Sequence, residues 1–421
     1  MADPSHGSYR EVLSRPAAWH LLATAGLARL AMGMVGLALV LSVREATGSF
    51  AAAGFAAGAF ALTAGVFAAA RGRLVDLRGH RRGLRVLGAG YALAGCALLV
   101  LVTTVREPAA LIAASGMLGA VAPPVSATTR TAWADIVGRG PRLSTALSLD
   151  TVTEELLSLV GPVSTGLLVA ESSPLTALAT AIVLEVTAVG LFPGKKPGAA
   201  SPPSAMAAGH GTPRLQGSHR VLAAVGPVLV PLLAAGVGFG VLDVAVPALA
   251  LQHGGTVSAG WMLALLPAGS TLGGLAYGRR TWSSPLVKRY RWLCLALVVG
   301  FAPLPLIAGD AALWPLLLVA GLAIAPTVVT GYLLVDEATP DGRKTEAATW
   351  VSTFNNTGTA TGSALCGALI AGVPLAAVFA LPAVAVTVGT LGMVLWHRNL
   401  PVRAEAASGP AVRPKRLSRR R

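Results

Sequence analysis

The sequence predicts an all-α integral membrane protein: twelve transmembrane helices in two pseudo-repeated six-helix halves, with both termini in the cytoplasm. Three observations carry this expectation. The composition is apolar, with 54% hydrophobic and only 12% charged residues in 421 and a mean hydropathy of +0.68. Twelve apolar runs are long enough to cross a hydrocarbon layer about 30 Å thick. Lysine and arginine crowd into alternate segments between those runs.

The runs cover residues 17–43, 50–70, 84–105, 108–129, 144–169, 173–193, 221–250, 257–278, 292–309, 312–335, 346–372 and 375–397. Only helices and closed barrels satisfy every backbone group in lipid, and a barrel strand alternates in polarity. Stretches such as YALAGCALLVLV and LLLVAGLAIA do not alternate, so helices are expected. The first run is longer than the apolar part of a signal peptide and contains Arg29, so it reads as a retained span. The domain order is then a cytoplasmic segment (1–16), a six-helix bundle (17–193), a Pro-, Gly- and Ser-rich linker (194–220), a second six-helix bundle (221–397) and a basic tail (398–421).

The net charge of +15 follows from topology. If the helices alternate in direction, thirty of the 33 basic residues fall on one side, Arg44 and Arg106 on the other, and Arg29 within a span. That is the positive-inside pattern, and it accounts for the charge without nucleic acid. Arginine outnumbers lysine 28 to 5, as in GC-rich bacterial genes, which points to a bacterial cytoplasmic (plasma) membrane. Cys96, Cys294 and Cys366 lie unpaired within spans, so neither disulfides, metal sites nor other cofactors are expected. The chain is expected to be monomeric.

Two segments suggest an internal repeat: AARGRL ending the second run against AYGRRT ending the eighth, and GPVSTG in the fifth against GTATGS in the eleventh. Paired helical halves are a common plan of secondary transporters.

Between the second and third runs lies GRLVDLRGHRR, residues 72–82, expected to be a short cytoplasmic loop. Its Gly72, Leu74, Asp76, Gly79, Arg81 and Arg82 closely resemble the loop signature of the major facilitator superfamily, with departures at Leu77 and His80, where that family usually has basic residues. The resemblance implies a twelve-helix transporter in which this loop latches the two halves together when the protein is closed inside and open outside. Asp76 would dock at the N-terminus of the eleventh helix, whose partial positive charge favours an acid, with Arg130 as a further partner. Arg71, Arg73 and Arg85 are read as topological only. GPVSTG resembles the family's antiporter motif at Gly161, Pro162 and Gly166 but has Thr165, and upstream Ser148 and Leu157, in place of glycines. Pro162 removes a backbone donor, so a bend is expected there.

Charges at bilayer depth are expensive and tend to face a cavity or a partner. Arg29 lies roughly 18 Å into the first helix and Glu154 roughly 15 Å into the fifth, at 1.5 Å per residue. Asp150 and Glu154 share a helical face, with Glu155 turned by about 100 degrees. The resemblance places the first and fifth helices around a central cavity, where Arg29 and these acids would meet. Either one acid, Glu154 foremost, exchanges a proton as Arg29 approaches and withdraws, or the group is a static ion pair. Asp243 in the seventh helix is expected to line the cavity or its outer mouth. Asn355 and Asn356 in the eleventh are expected either to hydrogen-bond the substrate or to join helices. Glu185, in the peripheral sixth helix, is read as structural.

The expected function is alternating-access transport, with proton-coupled export of a small, partly hydrophobic drug or metabolite. The same-fold alternative is a proton-coupled importer of a sugar or organic acid. The alternatives of another class are a membrane enzyme, for which no catalytic or phosphate-binding motif is found, and a membrane sensor.

Overall fold

The computed structural model describes residues 12–138, 141–193, 218–252, 255–280, 282–306, 312–339 and 344–397. Most of the expected linker, the basic tail and residues 1–11 lie outside the described residues. Among the described residues no strand occurs. An N-terminal group comprises α1 (Pro16–Thr47), α2 (Phe50–Val66), α3 (Ala68–Arg78), α4 (His80–Thr104), α5 (Pro108–Ala120), α6 (Val125–Val137), α7 (Pro141–Glu171) and α8 (Pro174–Leu191). A C-terminal group comprises α9 (Ser218–Gln252), α10 (Thr256–Gly278), α11 (Leu286–Phe301), α12 (Leu313–Gly321), α13 (Ile324–Ala338), α14 (Lys344–Leu369), α15 (Leu375–Val378) and α16 (Leu381–His397).

Nine helical runs among the described residues are long and apolar enough to cross a membrane, ten if α2 and α3 count as one bent span. The expectation of twelve exceeds this at α11 and α14. The first has only 16 residues, and the second carries the polar stretch TFNNTGTATGS.

Several expected continuous helices are broken, at α2–α3, α5–α6, α12–α13 and α15–α16 among others. α5 stops before Pro123 and Pro124, which together remove two successive backbone donors. α2 and α3 meet at Phe67 with a bend of 49°. The expected loop at 72–82 is therefore mostly helix. α3 runs on to Arg78 because its sequence offers good helix formers and no proline. The reversal is confined to Gly79, whose φ of 77° and ψ of 154° suit a residue without a Cβ. Pro162, by contrast, lies inside α7, which continues as one helix through it.

These breaks leave helix C-termini whose last carbonyls need donors, and arginines supply them. Arg71 is buried; its Nη1 donates to Gly119 O of α5 at 2.6 Å and its Nη2 to Ala64 O of α2 at 2.5 Å. Arg15 donates to Ile136 O near the end of α6, and Arg85 to Gly190 O of α8 at 3.4 Å. The reading of Arg71 as purely topological is thus corrected. Cations also suit the negative ends of these helices.

Small residues form the seams. A Cβ on Gly161 would lie 2.6 Å from Gly33 Cα, so α1 and α7 touch backbone to backbone. α9 and α14 pack in the same manner at Gly236 and Gly358. The two groups meet along α2–α14, at Gly54 with Gly367 and Gly65 with Asn356, and along α7–α10, where Gly260 faces Pro162. These contacts run from the end carrying Gly48 to about the depth of Gly65. Beyond it, α3 and α6 make their substantial contacts within their own group. Among the described residues, the bundle is closed at the Gly48 end and open at the end carrying Gly79 and Gly138.

A candidate ion-pair site between α1, α6 and α7

One turn of α7 separates Asp150 from Glu154, so both carboxylates project from one face. That face meets α1 at Arg29. Arg29 Nη2 lies 2.7 Å from Asp150 Oδ2 and 3.7 Å from Glu154 Oε2, and its Nη1 donates to Asp150 O at 3.2 Å. Trp133 of α6 donates its Nε1–H to Asp150 Oδ1 at 3.0 Å. Arg130, one turn earlier on α6, pairs with Glu154 Oε2 at 3.2 Å. Two cations and two anions thus form one chain: Asp150, Arg29, Glu154, Arg130.

The two acids live in different surroundings. Asp150 is fully buried and both of its oxygens are engaged, so a buried charge is matched by a full set of charge-assisted bonds. Glu154 keeps 28% of its side chain accessible and Arg130 57%. Glu154 is therefore the acid of the chain that solvent and solutes reach, held by Arg29 and Arg130 through contacts longer than that of the Arg29–Asp150 pair.

The other expected site residues are distributed more widely. Glu155 points away from Arg29 and accepts a hydrogen bond from Thr271 of α10 at 3.1 Å, a tie across the two groups. Asp243 is exposed although its neighbours Val241, Leu242, Val244, Ala245 and Val246 are buried, so it opens onto an internal space. Asn356 packs on Gly65 of α2, and Asn355 is half-buried with its Oδ1 lacking a donor. Gly161 and Gly166 are buried; Gly161, with Thr165, which donates to Met34 O at 3.2 Å, belongs to the α1–α7 seam.

Asp76, Arg81, Arg82 and Gly79 are exposed at the open end, and Gly72 is half-buried. The expected pairing of Asp76 with Arg130 is not formed. Arg130 turns to Glu154 instead, and Asp76 has no ion pair among the described residues. His80 lies 3.2 Å from Thr131 Oγ1 of α6. Glu185 is wholly buried on α8, with neither carboxyl oxygen hydrogen-bonded among the described residues. An apolar cleft of about 410 Å³ runs beside the α1–α7 seam between Trp19, Leu22, Gly26, Leu149, Thr153 and Leu157. On α7 it faces opposite to Glu155 and α10, so it lies outside the space between the groups.

Trp133 is the residue that the sequence reading passed over. A tryptophan next to an apolar run looks like core, and only the acid it faces reveals its role.

The sequence pattern described as Major Facilitator Superfamily matches residues 21–353. No curated protein matches the chain. Among solved structures, the nucleoside transporter NupG is similar with a TM-score of 0.73 at 12% identity, covering 91% of this chain and all 100% of that one. The POT family transporter PepTSo gives 0.66 at 12% identity, covering 91% and 98%. A bacterial homologue of the iron transporter ferroportin, in its inward-facing state, gives 0.68 at 13% identity, covering 90% and 98%.

Proposed function

Because the chain belongs to the Major Facilitator Superfamily, we propose that it is a secondary transporter working by alternating access, which exports a small, partly hydrophobic organic compound in exchange for protons. The observation that carries this reading is Glu154: accessible from the open space, and bridged to Arg29 at 3.7 Å and Arg130 at 3.2 Å. A carboxylate so placed is a binding point for a proton or a cationic group of the cargo. Rocking of the two groups would carry α1, α6 and α7 together past the opposite wall, so the side from which solvent and cargo reach Glu154 alternates with conformation.

Asp150 holds Arg29 throughout the cycle in this reading, and Trp133 holds Asp150. Twelve spans with both termini in the cytoplasm complete the proposal; thirty basic residues then face inward, and the open Gly79 end is the cytoplasmic one. Asp76 engages only when that end closes, which accounts for its lack of an ion pair here. Among the described residues, the charges of the α1–α6–α7 site are paired with one another, which suits a partly apolar cargo better than a polyanion.

The test is expression in a host stripped of its own exporters, challenged with a panel of drugs and metabolites. Wild type is expected to lower accumulation of at least one compound, and Glu154→Gln to abolish this at equal protein level. A variant that protects as well as wild type removes Glu154 from the mechanism.

A further inference from the structure

The turn between α10 and α11 concentrates Arg279, Arg280, Lys288, Arg289 and Arg291 without a single acid from 279 to 291. The corresponding segment of the N-terminal group, 71–85, contains Asp76 among its arginines. No member of the α10–α11 cluster forms an ion pair among the described residues.

The cluster is nevertheless ordered by aromatic rings. Trp282 stacks on Tyr277 with centroids 4.8 Å apart and donates its Nε1–H to Tyr277 O at 3.0 Å. The guanidiniums of Arg280 and Arg289 stand 4.9 and 5.9 Å from the Trp282 ring centroid, within reach of its π face. Arg289 Nη1 donates to the Tyr277 hydroxyl at 3.0 Å, while its Nε is buried with no acceptor. The charges of Arg280 and Arg289 are thus held in place with no acid paired to them among the described residues.

What continues from it is apolar. Lys288, Trp292, Leu295 and Val299 recur at helical spacing on one face of α11, and all four are exposed. A cation at the helix end, a tryptophan one turn in and then an aliphatic stripe is the profile of an interfacial anchor with lipid beyond it.

We infer that this surface docks an anionic phospholipid, its headgroup phosphate held by Arg280, Lys288 and Arg289 and one acyl chain lying along Trp292, Leu295 and Val299. A soluble anion would use the cations but not the stripe; a neutral lipid would use the stripe but not the cations.

Delipidated full-length protein in detergent is titrated with phosphatidylglycerol or phosphatidylcholine, and bound lipid is counted by native mass spectrometry. Phosphatidylglycerol is expected to bind at least tenfold more tightly. The Arg280→Ala/Lys288→Ala protein should lose roughly 25-fold, about fivefold for each cation at a charged surface, with its circular dichroism unchanged. Arg81→Ala/Arg82→Ala removes the same charge from α4 and should leave the preference intact. With acyl-brominated phosphatidylglycerol, tryptophan quenching should fall in Trp292→Phe. Equal binding of the two lipids, an unaffected Arg280/Lys288 variant, an equal loss in the Arg81/Arg82 variant, or full displacement by millimolar inorganic phosphate would each overturn the assignment.

Discussion

Replacing Asp150 by asparagine should be far more damaging than replacing Glu154 by glutamine, although both changes remove one acid from the same face of α7. Asp150 is fully buried, and its loss leaves Arg29, itself only 5% exposed, facing Glu154 at 3.7 Å as its remaining anion. Breaking one side of a buried pair typically costs 3–5 kcal/mol; with Glu154 offering partial compensation, about 3 kcal/mol is expected. That is roughly two powers of ten in the folding equilibrium. Glu154 is more than a quarter exposed and makes longer contacts, so its substitution should cost no more than about 1 kcal/mol. The assay is a double-mutant cycle on reversible unfolding in mixed micelles, using Arg29→Met, Asp150→Asn and the double variant. The double variant should be more stable than either single one, because two neutral side chains leave no buried charge unmatched. Additive losses, or a Glu154→Gln cost equal to that of Asp150→Asn, would refute the division of labour between the two acids.

Further outcomes follow from the packing. Gly161→Val forces a side chain into the backbone of Gly33 and should destabilise by about 2–3 kcal/mol, measured in the same micelles. Arg71→Ala uncovers two carbonyls at the ends of α2 and α5 and should cost about 3 kcal/mol, whereas exposed Arg73→Ala should stay within about 0.5 kcal/mol. Asp76→Asn, at an exposed position outside the ion pairs, should leave unfolding unchanged but slow transport, because the proposed latch acts only when the Gly79 end closes; unfolding and uptake rates measured side by side separate the two effects.

Much of the helical layout is legible in hydropathy, because a bilayer demands long apolar runs and helices are their simplest solution. The break at Pro123–Pro124 is written in the residues themselves. The bend at Phe67 is not: nothing local stops a helix there, and Arg71 supports it by reaching carbonyls 7 and 48 positions away. The spacing of Asp150 and Glu154 is enough to place them on one face, and the structure brings both to Arg29. Which acid would be enclosed and which accessible depends on Trp133 and Arg130, and thus on how α6 lies against α7. Arg130, expected beside Asp76 when the Gly79 end is closed, here pairs with Glu154, the acid that the packing of α6 on α7 presents to it.

The central claim is that a proton on Glu154 is exchanged for cargo across the membrane. Its most direct test is proton flux in proteoliposomes bearing an imposed pH gradient, recorded with an internal pH dye while a compound identified by the accumulation panel is added. Wild-type protein should dissipate the gradient only when the compound is present, and Glu154→Gln should bind the compound yet move no protons. Compound-dependent flux that persists in Glu154→Gln would contradict the account.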